Sequence, residues 1–232
     1  MNDCLENYLN IKQKIVDYAL QFNRDPAAIK LLAVSKGQTV EKIRHLYAAG
    51  QRSFGENYLQ EALLKMAACQ DLAIEWHYIG HVQRNKTKKI AENFAWLDSL
   101  ATVDIAERLN RQRPASLPPL NICISVNIDD DSNKHGCRVQ DLPNLVKQVV
   151  GMPQLKLRGL MVITKHPATH VEKMHSFLRM SKLYTDLCQQ GLSLDTLSMG
   201  MSDDIAEAIE LGTTILRIGT SIFGQRNKNS IQ

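Results

Sequence analysis

A lysine stands at the end of a short apolar run, where its side chain could act as a nucleophile. The run comprises residues 31–34 and leads into Lys36 and Gly37. A lysine that is partly removed from water has a lowered pKa, and its neutral amine can form a Schiff base with a carbonyl compound. Lys165, which follows the apolar segment 157–163, fits the same description. Both lysines also fit solvent-directed side chains at strand ends, so the residues alone leave the choice open.

The segment ILRIGTSIFG (215–224) combines an arginine with glycine and hydroxyl residues. Strand alternation places Ile215, Arg217 and Gly219 on one face. A guanidinium on an inward face is costly to bury unless it meets an anion or a polar ligand atom. Gly219 permits close backbone approach, and Thr220 adds a hydroxyl beside it. We therefore predict a phosphate site here. In the alternative interpretation, Arg217 pairs with a carboxylate and the glycine only relieves crowding.

Three further polar residues follow predicted strands. Ser202 begins the helical segment SDDIAEAIELG and is expected to cap it, beside the phosphate site. Asn57 and His77 are expected to orient a bound ring by hydrogen bonds, although each alone is more often structural. His77 and His81 have i,i+4 spacing in a strand and loop, with no carboxylate partner, so no metal site is predicted. The basic segment 83–89 lacks interleaved aromatic residues, which favours a solvated helix start over nucleic-acid contact.

These residues need a scaffold that gathers the ends of strands. Eight short apolar runs with β-branched residues are typical of strands buried on both faces. They are residues 31–35, 52–56, 75–80, 94–100, 121–128, 157–163, 196–201 and 215–219. Segments with helical periodicity separate them, and in one of these Leu59, Leu63 and Met66 share a face.

The alternation of strands and helices predicts a parallel sheet with right-handed crossovers. Eight units in 232 residues favour a closed (β/α)8 TIM-like barrel, whose usual length is about 250 residues. An open doubly wound sheet is the alternative, but no GxGxxG motif follows the first strand. We predict an α/β protein with a single domain over residues 1–232. An extra amphipathic helix is expected at roughly residues 3–22, and the segment 114–119 is expected to be a loop.

Composition excludes several classes of protein. Apolar residues make up 44% of the chain, enough for a sizeable core. The first residues carry acids and no long apolar stretch, which predicts no secretory signal and no membrane helix. Five scattered cysteines form no CxxC pair, so we expect free thiols in a reducing compartment. The net charge of +4 permits an anionic ligand without indicating nucleic acid. We therefore expect a cytoplasmic protein.

Longer motifs extend along almost the whole chain, from about residue 5 to 227. They are LLAVSK (31–36), FGENYLQE (54–61), WHYIGHVQRNK (76–86), VNIDDDSNKHG (126–136), RGLM (158–161), LSMGMSDD (197–204) and RIGTSIFG (217–224). Together they resemble the pyridoxal phosphate homeostasis protein family, which is related to the barrel domain of alanine racemase. The chain departs from the family pattern at residues 37–39, His81 and Thr164, and these changes affect loops.

The resemblance implies a fold-type-III (β/α)8 barrel that binds pyridoxal 5′-phosphate (PLP). It implies that Lys36, rather than Lys165, forms the Schiff base. The residues implied to surround the cofactor are Met201, Ser202, Gly219 and Thr220 at the phosphate, with Asn57, His77 and Arg217 around the ring. The contact of Arg217 is expected at either the pyridine nitrogen or the phosphate.

The same resemblance implies a carrier rather than an enzyme. The protein would hold PLP on Lys36 and contribute to intracellular vitamin B6 homeostasis, with secondary effects on amino-acid metabolism. A racemase needs two bases on opposite faces of the substrate carbon, and the partner domain that supports this in alanine racemase is expected to be absent. An arginine at the pyridine nitrogen would also weaken the cofactor as an electron sink.

Two other functions fit parts of the pattern. A monomeric PLP enzyme, such as a weak racemase, would use Lys36 and a mouth residue such as His77. From the residues alone, a Schiff-base aldolase or phosphosugar enzyme would use the same lysine and phosphate loop. For the carrier, we expect PLP-dependent apo-enzymes as acceptors and a monomer or weak dimer.

Overall fold

The computed structural model of the chain describes residues 2–165 and 168–224. The strands in this part of the chain are β1 (Lys30–Val34), β2 (Ser53–Glu56), β3 (Glu75–Tyr78), β4 (Trp96–Leu100), β5 (Leu120–Asn127), β6 (Cys137–Arg138), β7 (Leu155–Met161), β8 (Thr196–Ser198) and β9 (Ile215–Ile218). All eight predicted strands are present. The two-residue strand β6, which pairs with the end of β5, was not predicted.

Helices alternate with the strands along the described residues. They are α1 (Asn2–Gln21), α2 (Val40–Ala48), α3 (Leu59–Ala68), α4 (Thr87–Asn93), α5 (Val103–Gln112), α6 (Leu142–Val150), α7 (His170–Gln189), α8 (Ile205–Glu210) and α9 (Thr220–Phe223). The predicted extra helix is α1, and its buried face includes Tyr8, Ile11 and Ile15. It packs against α2, α8 and α9 and so covers the region where the first and last strands meet.

The strands form one closed parallel barrel. Their order is β4-β3-β2-β1-β9-β8-β7-β5, and pairing of β4 with β5 closes the ring. Closure confirms the barrel prediction against the open sheet. It places the carboxyl ends of all eight strands on one face, where barrel enzymes and binding proteins build their sites.

Strand alternation separates an outer apolar layer from a more polar interior. In β9, Leu216 and Ile218 belong to the main hydrophobic core between strands and helices. Arg217, between them in sequence, points into the barrel, as predicted, and lies opposite Leu32 of β1. A small separate cluster of Trp96, Cys123 and Met161 also lies away from the outer core. The interior therefore holds a buried arginine beside a small apolar cluster.

None of the helices in residues 2–165 and 168–224 has the length and apolar character needed to cross a bilayer. All five cysteines are free thiols, as the sequence predicted.

Candidate functional site

A cavity opens at the carboxyl ends of the strands. Its volume is about 740 Å³, including the solvent at its mouth. The lining residues are Val34, Lys36, Gln38, Asn57, Ile79, Met161, Ile163, Met201, Ser202, Arg217, Gly219, Thr220 and Gly224. Seven of the eight residues predicted for the site lie together here, and His77 does not.

Lys36 occupies the loop between β1 and α2. Its side chain is partly buried and lines the cavity. Gly37 follows with a φ of 69°, a left-handed conformation that favours glycine. The Gly37 N–H donates to Glu61 Oε1 at 2.6 Å, and the preceding Ser35 donates from Oγ to Glu56 Oε1 at 2.6 Å. Side chains from β2 and α3 therefore hold both neighbours of Lys36.

Arg217 places a buried cation in the wall of the cavity. Nη1 donates to Ser198 Oγ at 2.8 Å and Nη2 donates to the Val162 carbonyl at 2.7 Å. Burial lowers the pKa of Arg217, whereas the charges of Asp98 and Asp204 act in the opposite direction. These two hydrogen bonds use two of the five N–H donors of the guanidinium. The other donors can bind a ligand while Arg217 stays hydrogen-bonded to the protein.

The loop after β8 approaches Arg217 from the side. Gly200 has a φ of 95°, and a Cβ at this position would lie 2.4 Å from Ala208 Cβ. In the same loop, Asp204 Oδ1 accepts a hydrogen bond from the Met201 N–H at 2.5 Å. Burial raises the pKa of Asp204, against the opposing effects of the Met201 amide, Lys173 and Arg217. Met201 and Ser202 thus lie on a turn that Asp204 fixes.

Helix α8 begins later than the sequence predicted. Its N-cap residue is Asp204 and its first residue is Ile205, so Ser202 precedes the helix and does not cap it. The reason is that Asp204 bonds back to the Met201 amide, which holds the intervening residues in a turn. Ser202 instead lines the cavity with Gly219 and Thr220.

Asn57 follows β2, which is separated from the strand of Arg217 by β1 alone, and contributes an amide to the cavity wall. Its Oδ1 is buried and accepts no hydrogen bond within the described residues. Buried polar atoms are nearly always paired, and an exception calls for an explanation such as a missing ligand. The loop after β3 passes closely over this residue, since a Cβ on Gly80 would lie 2.2 Å from the Asn57 carbonyl oxygen.

His77 and Asp98 lie within strands rather than at their ends. The His77 side chain is fully buried in the barrel, with Nδ1 3.0 Å from Asp98 Oδ2 and Nε2 3.1 Å from Glu75 Oε1. Its ring stacks on Trp96 with centroids 4.9 Å apart. Burial alone would lower the pKa of His77, but the two carboxylates raise it above the ordinary value. The imidazole is a satisfied interior group, so the expectation that it lines a ligand ring finds no support in its placement.

The rival lysine lies outside this cavity. Lys165 is exposed, and its backbone N–H donates to Asp129 Oδ2 at 2.9 Å. Among the residues that the structure describes, no group of three or more histidine, cysteine or acidic side chains could hold a metal ion.

A second cavity adjoins the first and shares Asn57, Ile79, Met161 and Ile163 with it. At its rim the rings of His81 and His135 stack with centroids 3.7 Å apart. Burial, His135 and Lys86 lower the pKa of His81.

Sequence reasoning missed the apolar part of the wall. Ile79, Met161 and Ile163 line the cavity together with Val34. These residues are ordinary members of apolar runs, so only the closed barrel reveals which of them face inward. Gln38 also lines the cavity; its position two residues after Lys36 was the only available signal.

Comparison with known proteins finds relatives that match almost the whole chain, including the residues that line the cavity. The family model for the alanine racemase N-terminal domain matches residues 20–227. A Pseudomonas aeruginosa protein named pyridoxal phosphate homeostasis protein is 48% identical over 227 residues, covering 98% of this chain and 97% of that protein. An Escherichia coli K12 protein of the same name is 43% identical over 230 residues, with 98% of each covered.

Solved structures agree. PipY of Synechococcus elongatus PCC7942, with PLP bound, superposes with a TM-score of 0.81 at 37% identity, covering 90% of this chain and 100% of PipY. Alanine racemase from Corynebacterium glutamicum shares the fold, with a TM-score of 0.73 at 15% identity, and the match covers 63% of that enzyme. The identity and coverage of the curated relatives show that this chain belongs to the pyridoxal phosphate homeostasis protein family.

Proposed function

We propose that this protein binds PLP in the cavity at the mouth of the barrel, through a Schiff base to Lys36, and acts as a carrier without turnover. The observation that carries the proposal is the convergence of an amine, a buried guanidinium and a glycine-hydroxyl turn on one cavity. The relatives named for PLP homeostasis and the PLP-bound PipY structure support the choice of ligand.

The residues present fit this ligand. PLP carries an aldehyde, a ring hydroxyl, a ring nitrogen and a phosphate, and the cavity offers a partner type for each. Asn57 Oδ1, buried without a partner among the described residues, can accept a hydrogen bond from a ring substituent. Ser202, Gly219 and Thr220 offer hydroxyl and backbone N–H donors for a phosphate. The apolar side chains of Ile79 and Met161 provide surfaces for a flat ring.

Lys36 supplies the covalent bond. Its amine and the ligand's aldehyde condense so that a carbon–nitrogen double bond replaces the carbon–oxygen double bond and one water leaves. The bond is reversible by hydrolysis or by exchange with another amine, as a carrier requires. We propose PLP-dependent apo-enzymes as the acceptors.

Arg217 suits binding better than catalysis. In PLP enzymes the bound cofactor acts as an electron sink, which is strongest when its ring nitrogen is protonated. A guanidinium at that nitrogen disfavours a second positive charge there. Arg217 is held by Ser198 and Val162, so it cannot readily move away. We propose that it contacts the ring nitrogen, with the phosphate as the alternative.

The ionisable side chains that line the cavity, within residues 2–165 and 168–224, are Lys36 and Arg217. A racemase needs a second base facing Lys36 across the substrate. The candidate for that role from the sequence is His77, whose imidazole is hydrogen-bonded to Asp98 and Glu75 instead. This placement favours the carrier over a weak racemase.

A spectroscopic titration tests the proposal. Purified protein incubated with PLP should develop a visible absorption band, and borohydride reduction should abolish the band and fix the ligand to Lys36, as read by peptide mass spectrometry. A protein that takes up no PLP would refute the assignment. Sustained racemisation of any amino acid in a tested panel, abolished by Lys36→Ala, would reject the carrier role.

A further inference from the structure

A buried ion network lies beneath the loop that carries Lys36. At its centre is Lys65 of α3, which is 4% exposed. Its Nζ donates to Glu56 Oε1 at 2.8 Å, to Glu61 Oε1 at 2.5 Å and to the Ser35 carbonyl at 2.6 Å. These three acceptors match the three N–H groups of an ammonium. The cation is thus fully used by the protein and does not line the cavity.

The network holds the chain on both sides of Lys36. On one side, Ser35 is bonded twice, through its carbonyl to Lys65 and through its hydroxyl to Glu56. On the other side, the Gly37 N–H donates to Glu61 at 2.6 Å. The two carboxylates that accept these hydrogen bonds, those of Glu56 and Glu61, also accept hydrogen bonds from Lys65 Nζ. One set of three paired side chains therefore fixes both flanking peptides.

Stability alone does not account for such an arrangement. Replacing a buried ion pair by apolar side chains of similar volume is often neutral or stabilising, because the charges must be removed from water. Burial also raises the pKa of Glu56, although Lys65 and Ser35 oppose this, and Glu56 Oε2 has no hydrogen-bond partner within the described residues. Charges at this costly position are explained if their bonds serve the loop above them.

We propose that Lys65, with Glu56 and Glu61, positions Lys36 for its reaction with an aldehyde. This inference rests on the proposed function, because it assumes that Lys36 forms the covalent bond. The residues assigned to the phosphate lie on the loops after β8 and β9, Arg217 lies within β9, and no hydrogen bond of the network reaches them. Asn57, assigned to the ring, follows Glu56 in the chain, and its buried Oδ1 accepts no hydrogen bond from the network. Loss of the network should therefore slow bond formation while sparing noncovalent binding of the ring and phosphate.

The test compares two ligands. PLP reports bond formation through its visible band, followed by stopped flow. Pyridoxine 5′-phosphate has the same ring and phosphate with an alcohol in place of the aldehyde, and so reports noncovalent affinity. In Lys65→Met, which keeps the apolar stem, we expect bond formation to slow about 10- to 100-fold, the range for a misplaced reacting group. Affinity for pyridoxine 5′-phosphate should stay within about threefold, because the phosphate and ring contacts remain.

Matched variants separate the causes. Lys30→Met makes the same change in an ion-paired lysine at the other end of β1, 2.7 Å from Glu75, and should react at the wild-type rate. Glu61→Gln keeps an acceptor for the Gly37 N–H, whereas Glu61→Leu removes it. We expect Glu61→Gln to be slowed less than Glu61→Leu. If Lys65→Met fails to fold by circular dichroism, the Glu61 pair decides, since that side chain is 25% exposed.

Two results would overturn the inference: wild-type rates of bond formation in both Lys65→Met and Glu61→Leu, or an equal loss of affinity for both ligands. Failure of the proposed function has a different signature, because the wild-type protein and Lys30→Met would then also give no visible band.

Discussion

Replacing Arg217 by glutamine should weaken both PLP binding and the fold, by amounts that can be measured separately. Arg217 is 5% exposed and makes two hydrogen bonds inside the barrel, to Ser198 and to the Val162 carbonyl. Glutamine is shorter and uncharged, and can retain at most one of these bonds. The substitution therefore removes a cation from the cavity wall while leaving a polar side chain of similar chemistry in the interior.

The magnitude follows from the bonds involved. A hydrogen bond from a charged donor contributes about 1.5–3 kcal/mol, so loss of one such contact to the ligand should raise the dissociation constant about 10- to 150-fold. In the ligand-free protein, one or both of the guanidinium hydrogen bonds are lost, but relief of the cost of burying the guanidinium offsets part of this loss. We expect a net loss of about 1–3 kcal/mol in the free energy of unfolding.

Three measurements check this reasoning: a PLP titration, the position of the visible band, and urea unfolding without ligand. Arg217→Lys, which keeps the charge without the planar fork, should bind with intermediate affinity. Arg158→Gln is the matched control, because Arg158 is an ion-paired β7 residue bonded to Asp195 and Asn121, away from the cavity lining. Unchanged affinity and spectrum in Arg217→Gln would refute contact between this arginine and the ligand.

Three other changes give separate tests. Lys36→Ala should abolish the borohydride-stable adduct that is mapped by mass spectrometry in the wild-type protein, whereas Lys165→Ala should retain it; loss of the band in Lys165→Ala would reopen the choice of lysine. His77→Asn should flatten the pH dependence of the free energy of unfolding. Burial lowers the pKa of His77, but the two flanking carboxylates raise it more. The stability that His77 contributes is therefore fully present below the unfolded pKa of about 6.5 and is lost as pH rises through the folded pKa. Urea unfolding over a pH series measures this, and an unchanged slope would contradict it. Gly80→Ala should destabilise the protein by about 1–3 kcal/mol and weaken PLP binding, because the added Cβ would lie 2.2 Å from the Asn57 carbonyl oxygen; a variant with wild-type unfolding and affinity would show that the loop moves freely.

The barrel was predictable because its strands are apolar runs with sharp ends. The alternation in β9 also placed Arg217 inside and Leu216 outside, as the structure has them. Periodicity carries this information because a strand side chain has only two directions. The cluster of Lys36 with the β9 turn followed from the rule that strand ends share one face of a barrel.

The interior polar groups were harder to place. The run 75–80 continues past His77 with Tyr78 and Ile79, and nothing local indicates that the imidazole lies beside Asp98 of the next strand. Lys65 shows the same limit: the helix pattern marked Leu63 and Met66 as an apolar face, whereas the fully buried positions include Lys65 itself. Lysine in a helix normally reaches solvent, so only the tertiary partners Glu56 and Glu61 reveal its burial.

Strands β1 and β9, the first and the last in the sequence, pair with each other in the barrel. Lys36 follows the first strand and Arg217 lies in the last, so the cavity is incomplete until the ring has closed. A nascent chain on the ribosome therefore cannot capture PLP before β9 has been synthesised and docked. Because the ligand then binds only the closed barrel, PLP at 100 times its dissociation constant would add about 2.7 kcal/mol to stability. On the proposed function, the supply of the vitamin thereby governs how often its own carrier opens to cellular proteases, which limited proteolysis over a PLP series would measure.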